Sequence, residues 1–549
     1  MKKFKAILAL LLVTALVLAL FAACAKTENT NTTPSTSTED KPAETKPEET
    51  KPAETKPEET KPEEPEPEDN QPEEPESKFF EEGEIVDIKM IMFDLRMTAL
   101  DHGERIAKAV SAYTEETYGL HVDIDFYTIG DWMSKVMVAL AGGERVDFMP
   151  YLFATSVANM YAQNMAMPLD DLVNEYAPEA LELMKDYVDA YRIGGTLYGF
   201  PVLKNWVGNG YIVMRKDILE EIGMLEKAQN IDSFATYEEI LAAVHDKYTA
   251  ETGMYAVAKE AARTVGPSYL WNGDKFSDIV MYESVGDGTG MAMVLDDGED
   301  KVRFLLDDPR LEEKMVRIKG WRDNGWVWPD CALTDTHGDE LMKQGVSFSE
   351  FTGSEIGVEV TKGANIGKEV ICPKYYNGPI TTSGVQTWGC GIPVTAEEPE
   401  AGAFFMNCLF TDPILMNLMV WGVEGEDYDI VDDQVKTRDG MYYEADFFIG
   451  NNLLLKPIYG NGVDHYEKVA QDIADAPLSH YMGFALDRRD LEDLIAGITA
   501  INDQYSPDLY TGNYTPETFA AYKTALENAQ VYDYLDAIQS QLDAWKAAQ

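Results

Sequence analysis

From Ile85 to Phe93 the chain reads IVDIKMIMF, an apolar run almost unbroken between charged neighbours, and such a run is a strand buried on both faces. A strand of this kind needs helices on either side, and the sequence supplies them. Ile106, Ala107, Val110 and Tyr113 recur at helical spacing, with Gly119 as the stop. His121 to Tyr127 (HVDIDFY) alternates as a second strand. Met133 to Leu140 reads as another helix, closed by Gly142-Gly143, and Val146 to Leu152 (VDFMPYL) as a third strand. Strand, helix, strand, helix, strand predicts right-handed crossovers and an α/β fold with a parallel sheet. In such open sheets ligands sit beyond the carboxyl ends of the strands, which nominates the loops Asp94 to Met97, Thr128 to Trp132 and Tyr151 to Ser156.

Ahead of this lies a different kind of sequence. Met1-Lys2-Lys3-Phe4-Lys5, an apolar run from Ala6 to Phe21, and Ala22-Ala23-Cys24 have the layout of a secretory signal peptide over 1–23, too short to span a bilayer. Small residues before a lone Cys resemble a bacterial lipobox, with Phe21 where Leu is usual; the resemblance implies a lipid on Cys24. The alternative is plain cleavage after Ala23 with Cys24 a free thiol. From Ala25 to Glu82 apolar side chains almost vanish, and KPAETKPEET recurs. This stretch, 24–82 with its Cys, cannot bury enough surface to offset its ordering entropy. Its prolines make it an extended tether able to reach more than about 100 Å.

The formal net charge is −52, and the tether accounts for a surplus of only 12 acidic groups, 19 against 7 Lys, so the folded part is strongly acidic as well. An acidic surface repels phosphate backbones and excludes nucleic acid as a partner. Cys331, Cys372, Cys390 and Cys408 form no CxxC pair, and no His stands at zinc-ligand spacing, so no metal or cofactor is expected. Disulfides and buried thiols both remain open, because about 460 residues can build a core without staples.

Further along, Gly210 to Met214 reads as a strand and Lys216 to Ile222 as a helix. Thr236 with Glu239 forms a capping box for a helix through Ala243. Met291 to Leu295 and Val302 to Leu306 flank Asp296-Asp297-Gly298 as a hairpin. Asp308-Pro309, Pro399, Pro413 and Thr515-Pro516 each open a helix with Pro in its first turn. Leu535, Ile538, Leu542 and Trp545 recur three or four apart as a final amphipathic helix.

Several blocks, in this order, resemble one family. GERVDFMPYLF with ANMYAQNMAMPLDDL, GGTLYGFPVLKNWVGNGYIVMRKDILEEIGM with TYEEILAA, VLDDGEDKVRFLLDDPRLEEKMVRIKGWRDNGWVWPD, and GCGIPVTAEEPEAGAFFMNCLFTDPILMNLMVWGVEGEDYDI are similar to the type 1 extracellular solute-binding proteins of ABC importers. In particular they resemble the Firmicutes lipoproteins that end in a domain of unknown function. The resemblance covers most of residues 85–549 and rests on the order of the blocks. It implies a two-lobed, periplasmic-binding-protein-like α/β fold of type II: lobe 1 from 83–205 and 385–450, lobe 2 from 206–384 and 451–549 with the C-terminal helices. Crossings are expected near Pro201 to Asn209 and Gly384 to Pro393, around a cleft that closes by hinge motion. The implied partners are a small-molecule ligand, with a sugar or oligosaccharide favoured, and the importer's permease subunits. The protein is expected as a monomer, lipid-anchored on the outer face of the membrane.

A sugar site needs flat aromatic platforms with carboxylates, amides or Arg for the hydroxyls. The candidates are Trp206 and Asn209 on the first crossing, Gln386 and Trp388 on the second, and Trp132 and Tyr151 on strand-end loops. To these are added Trp271 with Asn272 in a Gly- and Pro-flanked loop, Glu350 with Phe351 in SFSEFTGSE, and the Asp94 and Arg96 pair. Against each stands the ordinary fate of large aromatics, which is core packing. Trp321, Trp326, Trp328, Trp421 and Trp545 fit helix or turn packing better.

A surface glycoside hydrolase also combines aromatics with paired carboxylates. In so acidic a chain such pairs carry no information, and HExxH, GxSxG and the P-loop are absent from the sequence. An adhesin would show repeated modules, and the folded part has none. Gly286 to Gly290 and Asp296 to Asp300 do not match an EF-hand and read as a loop and a hairpin.

Overall fold

A computed structural model describes residues 84–249, 252–258, 269–334 and 336–549. The expected signal peptide, Cys24 and the expected tether lie outside the described residues. Strand β1 (Val86–Asp94) is followed by helix α1 (Ala99–Tyr118) and by β2 (Leu120–Thr128), which pairs in parallel with β1 over its whole length, Val86 opposite Leu120 to Asp94 opposite Thr128. Gly119 ends α1 with φ of 70°, a left-handed turn where a Cβ would lie 2.9 Å from the Glu84 carbonyl oxygen. A parallel bridge between Met90 and Phe148 adds β3 (Met149–Tyr151) on the other side of β1. The helix expected over 133–140 is broken instead into two short α segments around a π turn, Trp132–Val136.

After β4 (Phe200–Pro201) the chain leaves the first hydrophobic core and enters a second. There β5 (Gly210–Arg215) lies at the centre of a sheet with β6 (Tyr255–Val257), β7 (Ser347–Gly353) and β8 (Lys374–Tyr376). The period of two is visible in β5: Ile212 and Met214 face the second core, while Tyr211 and Val213 join a smaller apolar cluster with Val358 and Ile366 on the opposite face. Helix α2 (Phe234–Val244) is capped by Ser233, whose side chain accepts from the Thr236 amide, so the capping position is Ser233 and not Thr236. The predicted hairpin forms, with Ala292 and Met293 antiparallel to Phe304 and Arg303. Helix α3 (Pro309–Asp323) starts with Asp308 accepting from the Arg310 amide at 2.9 Å. The Asp287 carboxylate accepts the amides of Thr289, Gly290, Met291 and Ala292 and so ties its own loop together.

The chain then returns to the first core, where β9 (Gly389–Gly391) runs antiparallel between β3 and β4. Pro399–Thr411 and Pro413–Trp421 form the two proline-led helices. Leu455, Val469 and Ile473 still pack in the first core, and only from Tyr481 does the chain rejoin the second. This corrects two expectations. The segment from 451 to 473 belongs with the first lobe, and the second crossing lies near 376–380, since Ile380, Val385, Cys390 and Ile392 are all first-core residues. A third crossing near 474–480 was not anticipated. It pairs with the second through a parallel bridge between Ile380 and Leu478. Asp472, on helix α4 (His465–Asp475), ties the crossings together by accepting from the side-chain amides of Asn205 at 3.0 Å and Asn209 at 2.9 Å, with Lys374 at 3.6 Å.

The four described cysteines are buried free thiols. Helices Glu492–Tyr510, Pro516–Asn528 and Val531–Ala547 complete the second core, the middle one capped by Thr515.

Candidate functional site

The first sheet ends on one edge with Asp94, Thr128 and Tyr151, and β4 together with β9, which is antiparallel to both β3 and β4, brings two further segments to it. Gly389 pairs with both Tyr151 and Pro201, and the Val202 amide donates to the Trp388 carbonyl at 3.2 Å, so register alone sets Trp388 beside Val202 to Lys204. The Trp388 ring is half-buried. It meets Phe153 edge-on at 5.6 Å and lies against Phe447 at 5.1 Å and Phe448 at 5.9 Å.

Phe153 is 47% exposed and has φ of 49°, a left-handed backbone that a bulky aromatic adopts only when its surroundings impose it. The constraint is visible. Thr155 hydrogen-bonds back to Leu152 through both its amide and its hydroxyl, and the Trp132 indole N–H donates to that hydroxyl at 3.1 Å. Trp132 is fully buried, so it buttresses the turn from below and touches nothing outside.

Beside the aromatic group stand Lys204, from the first crossing, Asp446, from the first core, and Glu355, two residues beyond the end of β7 in the second core. Burial lowers the Lys204 amine against the opposing pull of Glu355 and Asp446. Burial, then Asp446, pushes the Glu355 carboxyl up to about 7. Tyr466 donates to Asp446 at 2.9 Å, and Lys204 lies 5.9 Å from the centre of the Phe447 ring. Among the described ion pairs none joins Lys204 to either carboxyl, so the donor and acceptors are not consumed by one another.

Most of the nominated residues lie elsewhere. Asp94 is buried and accepts from the amides of Thr98 and Ala99, while Arg96 is exposed over the Tyr443 ring at 5.4 Å, so the two do not pair. Tyr151 is buried, with its hydroxyl toward the Ile392 carbonyl. Trp206 packs on Tyr187, Asn209 serves the crossings through Asp472, and Gln386 donates to the Ala190 carbonyl. Trp271 and Phe351 belong to an aromatic core with Phe234 and Trp321, and Asn272 is merely exposed. Glu350 is 2% exposed and bonded to Lys362, beneath Gly338, where a Cβ would overlap its Oε2. The residues missed are Lys204, Phe153, Phe447, Asp446, Glu355 and Tyr466. Three of them fall inside segments that the sequence does nominate: Phe153 in the third strand-end loop, Lys204 in the first crossing, and Glu355 at the end of SFSEFTGSE.

Glu444 is 1% exposed and sits behind Asp94. Burial, then the Asp94 carboxylate, pushes its carboxyl up to about 9. Between pH 4.5 and 9 the unfolded chain loses this proton and the folded chain keeps it, so stability falls as pH rises, by up to about 1.4 kcal/mol per pH unit. Glu444→Gln should therefore unfold along a flatter curve from pH 5 to pH 8, gaining on the wild type as pH rises. Parallel melting curves would show Glu444 ionised in the fold.

A depression of about 760 Å³ lies on the second core, over Glu238, Asp274, Arg317, Trp321 and Trp326. Arg317 there is spent on Glu238 and Asp274 and the Trp321 indole on Glu238, and none of these residues belongs to the strand-end group.

Residues 108–422 match the family described as bacterial extracellular solute-binding protein, and residues 480–547 match a domain of unknown function. A carbohydrate ABC transporter substrate-binding protein of Streptococcus pneumoniae is 24% identical over 456 residues, which cover 80% of this chain and 87% of that protein. Among solved structures, an N-glycan transport solute-binding protein of the same species superposes with a TM-score of 0.70 at 18% identity, covering 83% of this chain and 98% of that one. Its complex with mannosyl-N-acetylglucosamine gives 0.65 at 19% identity, covering 83% and 99%. The likeness establishes the two-lobed α/β fold of these proteins.

Proposed function

The chain belongs to the bacterial extracellular solute-binding proteins, and we propose that it is the capture subunit of an ABC importer. In this reading it encloses an oligosaccharide between its two cores and performs no covalent chemistry. The observation that carries the reading is the convergence of Trp388, Phe153 and Phe447 with Lys204, Asp446 and Glu355 at the carboxyl edge of the first sheet. The C–H face of a sugar ring stacks on Trp388, the Lys204 amine donates to its hydroxyl oxygens, and Asp446 and Glu355 accept from its hydroxyl protons. Lys204 and Asp446 come from the first-core side and Glu355 from the second. A ligand held by all three binds the closed arrangement more tightly than the open one, which is what drives closure. The permease subunits recognise the closed form. A lipid on Cys24 and the tether over 25–82 keep this monomer at the outer face of the membrane. The carbohydrate assignment of the relative and the glycan bound by the structural neighbour support the sugar class.

Two carboxyls of different acidity are also what a glycosidase uses, so the test must separate capture from cleavage. The full chain is heated with mannosyl-N-acetylglucosamine, larger mannose-rich glycans, maltotriose and xylotriose. A ligand that binds only the folded state at 100 times its dissociation constant adds about 2.7 kcal/mol and raises the melting temperature. The glycan recovered intact supports capture, and a glycan recovered cleaved makes the protein an enzyme. No shift with any member of the panel overturns the sugar reading. Mass spectrometry of the membrane fraction should find Cys24 acylated and N-terminal.

A further inference from the structure

A second cavity, of about 600 Å³, lies where the two cores meet away from Trp388, and both build it. The first core supplies Tyr161 and a tight hairpin, Arg192–Ile193 with Thr196–Leu197. The hairpin turns through Gly194 and Gly195 at φ of 61° and 87°, with open space where their side chains would be. The second core supplies Arg489 and, from the last turns of the C-terminal helix, Trp545. The cores approach closely here: a Cβ on Gly483 would lie 3.1 Å from the Asp189 Cβ, and the Arg489 guanidinium sits 4.6 Å above the Tyr161 ring. Trp545, which the sequence assigns to helix packing, covers Phe484 at 5.7 Å with one edge and leaves the rest of a half-buried ring to the cavity.

The arginines in this cavity are already paired. Arg489 holds Asp487 through two bonds of 3.0 and 2.6 Å, and Arg192 holds Asp170 and Asp189 at 2.5 and 2.7 Å. Two arginines against three aspartates leave a surplus of one negative charge, so both cations are taken and an anion finds no free partner here. What remains is the uncovered part of the Trp545 ring, ringed by polar atoms, which suits a neutral, hydroxyl-rich ring with one apolar face.

We infer that this cavity is a second binding site for a neutral sugar ring, separate from the strand-end group and clasped by both cores. The inference rests on the glycan reading of the chain. It is tested by fluorine NMR on the full chain labelled with 5-fluorotryptophan, titrated with the same four kinds of glycan. The Trp388 and Trp545 signals are assigned by single replacements. A Trp545 signal that moves with its own saturation point, persists in Trp388→Ala, and requires at least tenfold more glycan in Ala544→Arg is the expected result. Ala544 is an exposed residue lining the cavity, so Arg there fills the space without entering the core, and unchanged signals from the buried Trp271 and Trp321 verify the fold. A Trp545 signal that is silent, or that moves only in step with Trp388 and stops in Trp388→Ala, overturns the second site and leaves the capture reading standing. If neither signal moves with any glycan, both readings fall.

Discussion

Trp388→Ala is expected to weaken glycan binding about 30- to 100-fold, a loss of about 2 to 3 kcal/mol of the kind seen when a central aromatic anchor is removed. The magnitude follows from the position of the ring. Phe153, Phe447 and Phe448 all lean on Trp388, so its removal takes away the central platform and also the wall that orders its neighbours. The ring is only half-buried, so folding should suffer far less than binding. Isothermal titration with whichever glycan raises the melting temperature gives the number, and a loss smaller than threefold would show that the ligand sits elsewhere. Trp132→Phe makes a useful companion. It keeps the packed ring and removes only the N–H that holds Thr155, so any weakening it causes acts through the Phe153 turn.

The largest loss of stability should come from Lys362→Met. Lys362 lies between Asp339 at 2.5 Å and Glu350 at 2.6 Å, with all three side chains largely withdrawn from water. Burial, then Asp339, pushes the Glu350 carboxyl up to about 8. Burial works against the Asp339 carboxylate too, but the bonds from Glu350 and Lys362 win and hold it below the usual carboxylate range. The three therefore form a chain: a protonated Glu350 donating to an ionised Asp339, which pairs with a charged Lys362. Removing the cation strands the carboxylate in a poor solvent and should cost about 3 to 5 kcal/mol. Chemical denaturation followed at the tryptophans of the second core measures it. Adding Asp339→Asn to Lys362→Met should recover most of the loss, because the uncompensated charge disappears with it, and failure of that rescue would refute the assignment of charge.

Periodicity made the framework legible. The apolar run at Ile85 to Phe93, the alternation at His121 to Tyr127 and the prolines at 309, 399, 413 and 516 each became the element they predict, because those signals are local. The crossings were harder. Pro201 to Asn209 was placed well, but a return at Gly384 to Pro393 takes β9 for a linker, since three residues of Gly389-Cys390-Gly391 carry almost no strand signal. The third crossing has no sequence mark at all. The site was legible by segment and not by residue. Aromatic type drew attention to Trp132, Trp271 and Phe351, whose size is what buries them. In SFSEFTGSE both acids are plausible on chemistry alone. Only the pairing of Glu350 with Val213, which sets it inside the sheet, separates it from Glu355 beyond the strand end.

The triple passage between the cores bears on how the molecule withstands damage. Each half is assembled from two distant stretches of sequence, so a protease that severs any one connecting strand leaves two covalent links intact. The two fragments are then held by packing inside a half, while the two halves stay joined by the remaining crossings, a useful property for a protein whose relatives work outside the cell.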